Sequence, residues 1–68
     1  MNEIIFYIEE SLDGGFEARA LGQSIYTQGE DIETLKANII DAIKCHFEPG
    51  MAPQVIKLHY VREEAIAL

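Results

Sequence analysis

Ile4-Ile5-Phe6-Tyr7-Ile8 is a run of β-forming side chains closed by Glu9-Glu10. Alternate residues of a strand point to opposite faces, so Ile4, Phe6 and Ile8 share one face and Ile5 and Tyr7 the other. Ser11-Leu12-Asp13-Gly14-Gly15 follows with turn chemistry, its glycines free to take positive φ. Phe16-Glu17-Ala18-Arg19-Ala20 then alternates again, with Phe16, Ala18 and Ala20 inward. The two runs predict a β-hairpin. Gly22 breaks the pattern, Ser24-Ile25-Tyr26-Thr27 predicts a short third strand, and Gln28-Gly29 a tight turn into a helix.

The period then changes. Ile32, Leu35, Ile39, Ala42, Ile43 and Phe47 recur at helical spacing and form one apolar stripe. Asp31 is the expected N-cap, its carboxylate accepting from orphan amides of the first turn. Glu30, Asp31 and Glu33 sit near the positive end of the helix dipole, and Lys44 and His46 near the negative end. Pro49-Gly50 stops the helix. Val55 to Val61 predicts a last strand, with Ile56, Leu58 and Tyr60 on one face and Val55, Lys57, His59 and Val61 on the other. Ile66 and Leu68 in the tail either extend that strand or reach a neighbouring subunit. The class is α+β in the order β-β-β-α-β: one mixed sheet of four strands with a single helix on one face.

Length and composition add three constraints. A 68-residue chain is one domain, and at this size folding buries only about 60 % of the unfolded surface. Cys45 is the single cysteine, so no internal disulfide helps. Nothing approaches the roughly 20 apolar residues of a membrane span, and Met1-Asn2-Glu3 lacks the basic flank of a secretory signal. A cytoplasmic, soluble protein is expected, with association as its extra source of stability. One helix covers one sheet face, leaving Ile5, Tyr7, Arg19, Val55, His59 and Val61 on the other. That mixed surface is the expected homodimer or higher-oligomer interface; the alternative is that Glu17, Arg19 and Lys57 keep it solvated.

Charge narrows the partner. Twelve acidic against 5 basic residues give a net charge of −7, which repels phosphate backbones and favours encounter with a basic protein. Tyr7 and Tyr60 beside Arg19, Lys57 and His59 suggest a nucleic-acid-binding sheet, but the cations are too few, so RNA binding is the weaker reading. Two-metal nuclease chemistry needs carboxylates converging on ions about 4 Å apart. Glu9, Glu10 and Asp13 read instead as a solvated turn, and Glu3 and Glu17 form no set. Cys45 and His46 are neighbours on a helix and point about 100° apart, so they do not chelate as a pair. Cys45 reads as a small buried or flanking residue, His46 as a helix-end residue and His59 as an exposed strand residue. Gly14-Gly15 matches no phosphate-loop pattern. No catalytic residue, metal or cofactor is expected.

Several features in order resemble the HicB-like antitoxin family: the aromatic β-run ending in acids, Asp13-Gly14-Gly15, Thr27-Gln28-Gly29-Glu30, the helix Ile32 to Phe47, and Leu58-His59-Tyr60-Val61-Arg62-Glu63-Glu64. The resemblance covers nearly the whole chain, residues 1–68, as one HicB-like domain. It implies a partial ribonuclease-H-like fold, with the fourth strand beside the first. It also implies a non-enzymatic antitoxin that masks a small basic HicA-type toxin, itself a messenger-RNA nuclease using a histidine. Leu21-Gly22-Gln23-Ser24 is shorter than the family's usual loop. No DNA-binding segment follows before Leu68, so operator binding is not expected. The carboxylates expected to meet the toxin are Glu9, Glu10, Asp13, Glu30, Asp31 and Glu33. The alternative is a stand-alone homo-oligomer of the same fold with no toxin.

Overall fold

The computed structural model describes residues 2–68. Strand β1 spans Glu3–Glu10, β2 Phe16–Ala20 and β3 Tyr26–Gly29; helix α1 spans Ile32–His46, and β4 spans Val55–Tyr60. The sheet order is β3-β2-β1-β4. Strand β1 runs antiparallel to β2 and parallel to β4, and β2 runs antiparallel to β3. The fold is therefore α+β, with one mixed four-stranded sheet and one helix on it.

Each face follows from the alternation. Ile4, Phe6, Ile8, Ala18 and Ala20 are buried on the inner face, against Leu35, Ile39 and Ile43 of the helix. Phe6 and Leu35 are wholly inaccessible. The helix begins where expected: the Asp31 carboxylate accepts the Thr34 amide at 2.7 Å, from extended backbone. It ends at His46; Phe47 is already extended and its N–H donates to the Ile43 carbonyl at 3.0 Å.

The helix and the last strand each end one residue before the sequence expectation, at His46 and Tyr60, and the third strand and the tail differ more. The third strand begins at Tyr26 and continues through Gln28 and Gly29. Those residues face Glu17 and Phe16 in the ladder, so pairing with β2 overrides the turn propensity of Gln28-Gly29. Ile25 precedes the strand and is buried. The tail after Tyr60 forms no regular structure: Val61 still donates its N–H to the Ile8 carbonyl at 2.8 Å, and Ile66 and Leu68 are fully exposed.

The helix lies off-centre. It packs closely on β3 and β2 and makes no close backbone approach to β4. The inner side chains of β4, Ile56 and Leu58, are consequently only half-buried.

Candidate functional site

The expected partner-binding carboxylates are scattered in sequence, and the topology gathers them at one end of the molecule. Strand β1 delivers Glu9 and Glu10 there. The turn 11–15 holds Asp13, closed by Gly14 N–H to Ser11 O at 3.1 Å and Ser11 N–H to Gly15 O at 3.0 Å. Strand β3 ends beside the start of β2, since Gly29 pairs with Phe16, and so brings Glu30, Asp31 and the first helical turn with Glu33 to the same end. Asp13 and Glu30 line one hollow of about 390 Å³ with Gly14, Phe16, Thr34 and Asn38. Glu9 and Glu10 line a neighbouring one of about 160 Å³ with Val61, Arg62 and Glu63.

Gly15 makes the convergence possible. Its φ is +85°, and a β-carbon there would stand 2.9 Å from the Gly29 carbonyl oxygen. The hairpin tip can therefore lie directly on the β3–helix junction.

Not all six carboxylates are equally free. Asp31 is committed to the helix cap, and the Thr34 amide it accepts holds its carboxyl below the ordinary value of 3.8. Glu9, Glu10, Asp13, Glu30 and Glu33 are exposed and make no ion pair among the described residues. Glu63 joins them, a residue that sequence reasoning missed. Its position depends on β4 returning parallel to β1 with Tyr60 opposite Ile8, for which the sequence carries no local signal. Among the described residues Arg62 is the one cation lining these hollows, and it is paired with Glu64 at 3.1 Å.

The outer sheet face assembles as expected. Tyr7 lies between Arg19 and His59 in the ladder, and Ile5 pairs with Lys57 and Glu3 with Val55. The Tyr7 and His59 rings pack at 5.9 Å between centroids. Ile5 is half-buried, whereas Tyr7, Arg19, Val55, His59 and Val61 are exposed. Polar links cross this face. Lys57 reaches Glu3 at 3.0 Å, and Tyr26 donates its hydroxyl to Glu17 at 3.0 Å, which raises the phenol above its usual 10.0.

His46 lies 3.3 Å from the Gln23 side-chain oxygen and edge-on to Phe47, at 4.9 Å. His59 is exposed on its strand, as expected. Cys45 is exposed rather than packed, because it falls on the solvent side of the helix. Among the described residues, no three His, Cys, Asp or Glu side chains converge as metal ligands would, and no helix is long and apolar enough to cross a membrane.

A small sheet with one helix and a carboxylate-rich end defines an α+β domain whose distinctive chemistry is surface charge. Over 52 residues the chain is 50 % identical to a UPF0150 protein of Archaeoglobus fulgidus, covering 76 % of this chain and 77 % of that protein. Over 66 residues it is 42 % identical to a UPF0150 protein of Thermotoga maritima, covering 97 % and 93 %. The chain belongs to the UPF0150 family. No family model matches it, and no solved structure does.

Proposed function

We propose that this chain is a non-enzymatic, cytoplasmic protein-interaction module of the HicB-like antitoxin type, and that it binds and masks a small basic HicA-type toxin. The observation that carries the reading is the acidic end, where carboxylates from β1, the hairpin turn, the β3–helix junction and the tail stand together, and the Arg62 cation among them is paired with Glu64. Such a field speeds the approach of a basic protein and orients it. The resemblance of the motif order to HicB-like antitoxins supplies the kind of basic partner. Glu9, Glu10, Asp13, Glu30 and Glu33 meet the toxin's basic surface, whereas Asp31 caps the helix that presents Glu33.

The test is toxin activity. A purified HicA-type toxin is assayed for cleavage of a messenger RNA with increasing amounts of the chain. Cleavage that stops at stoichiometric chain supports the reading; cleavage unaffected by a large excess in low salt contradicts it.

A further inference from the structure

Strand β4 is a sheet edge that no described part of the chain covers. Val55 and Val61 donate their N–H groups inward, to Asn2 and Ile8 oxygens at 3.0 and 2.8 Å. Bonding direction alternates along a strand, so the N–H and C=O groups of Ile56, Leu58 and Tyr60 point to the open side. The opposite edge is guarded: β3 is only 4 residues long, the Gln28 carbonyl accepts Asn38 Nδ2 at 2.7 Å, and the helix packs on that strand. Beside β4 the helix leaves an apolar groove of about 260 Å³, lined by Lys36, Ile39, Ile40, Ile56 and Leu58. An uncovered edge next to an apolar groove is where another strand adds.

Exposed apolar surface lies at this edge of the chain as well. Val55, Tyr60, Val61, Ile66 and Leu68, all on β4 or the tail, are among its exposed apolar residues.

We propose that β4 joins a second copy of this chain, the two β4 strands pairing antiparallel about a two-fold axis at Leu58 to make one continuous sheet. This register uses all the outward backbone groups: Leu58 exchanges both bonds with its counterpart, and Ile56 does so with the partner copy's Tyr60 position. The same residues stack side by side on the inner face, aromatic against β-branched, a favourable cross-strand pair. On the outer face Val55 meets the Val61 position of the other copy. One polar pair remains, Lys57 opposite the His59 position, and Lys57 already has its charge answered by Glu3. Strand β4 is thus its own complement when read backwards, which is what a two-fold contact requires. The Ile40 side chains, 45 % exposed in the single chain, close the joined grooves from the helix side. Antiparallel pairing also sends the two acidic ends to opposite poles of the dimer. Charge repulsion is avoided and both ends stay open.

The register makes a covalent test available. In a non-hydrogen-bonded antiparallel pair the Cα atoms lie about 4.5 Å apart, within disulfide reach, so Val55→Cys with Val61→Cys in a Cys45→Ser background forms interchain disulfides when oxidised by added oxidised glutathione, which takes up the two electrons and two protons as reduced glutathione. Within one chain those positions are about 20 Å apart along the strand and do not bridge. The expected result is a dimer on a non-reducing gel, and a native chain that sediments as a dimer. Tyr60→Pro, which removes one outward N–H at an edge position that tolerates proline, and Ile40→Glu are each expected to give a folded monomer by circular dichroism. Tyr7→Glu on the outer face is expected to leave the dimer intact. A native chain that sediments as a monomer at high concentration overturns the proposal. So does a dimer that survives both Tyr60→Pro and Ile40→Glu, or one that Tyr7→Glu alone dissociates. None of these readouts involves a toxin.

Discussion

Gly29 and the backbone of Leu35 are packed so closely that a side chain at residue 29 has no room: a β-carbon would stand 2.6 Å from the Leu35 nitrogen and 2.8 Å from its Cα. The last residue of β3 thus sets how near the helix lies to the sheet. Contact at this one point allows Leu35, wholly buried, to reach Phe6 and Ala18 in the core. Gly29→Ala must push helix and strand apart, which as overpacking costs about 1–3 kcal/mol. Urea unfolding checks this, with an expected lower midpoint and an unchanged slope.

Leu35→Ala removes a large side chain from the centre of a small core. Such truncations cost about 2–5 kcal/mol, against a total stability of roughly 3–10 kcal/mol for a chain this length. The variant is expected to unfold at a markedly lower temperature than the native chain by far-ultraviolet circular dichroism, while Leu12→Ala, at a fully exposed position, is expected to unfold like the native chain.

Asp31 links stability to pH. Its folded carboxyl titrates below the ordinary 3.8 because it accepts the Thr34 amide. A depressed folded value means the contribution is present above the unfolded value and lost as pH falls through the folded one. Asp31→Ala is therefore expected to lower the urea midpoint at pH 7, and the gap to the native chain is expected to shrink below pH 3.8. A gap of equal size at both ends of the range would show that the charged cap is not responsible.

Charge reversal at the acidic end separates steering from contact. Glu9→Lys with Glu10→Lys is expected to slow association with the proposed basic toxin, most strongly at low salt, because rim charges act chiefly on the on-rate. Stopped-flow measurement across a salt series reads this out, and Glu48→Lys, beyond the far end of the helix, serves as the control with a smaller effect.

The sequence made the local structure legible where short-range rules decide it. The alternation from Ile4 to Ala20 marked the hairpin and its inner face, and Asp31 with the Leu35–Ile39–Ile43 stripe marked the helix and its buried side. Non-local pairing was less visible. Gln28 and Gly29 look like a turn, and only the ladder with Phe16 and Glu17 makes them strand. The acidic residues could be named one by one, but their gathering at one end comes from the strand directions, and Glu63 arrives there only through the parallel return of β4. Nothing local shows that the helix settles over β3 and β2, leaving the inner side of β4 half-covered.

The central claim, a proposal, is that the acidic end receives a basic toxin, and calorimetric titration with a HicA-type toxin tests it most directly. The account predicts saturable binding that weakens as salt rises and is lost when Glu9, Glu10 and Glu30 are replaced together by lysine in a chain that remains folded. Absence of binding at low salt, or binding of equal strength in the native and triple-lysine chains, would contradict it.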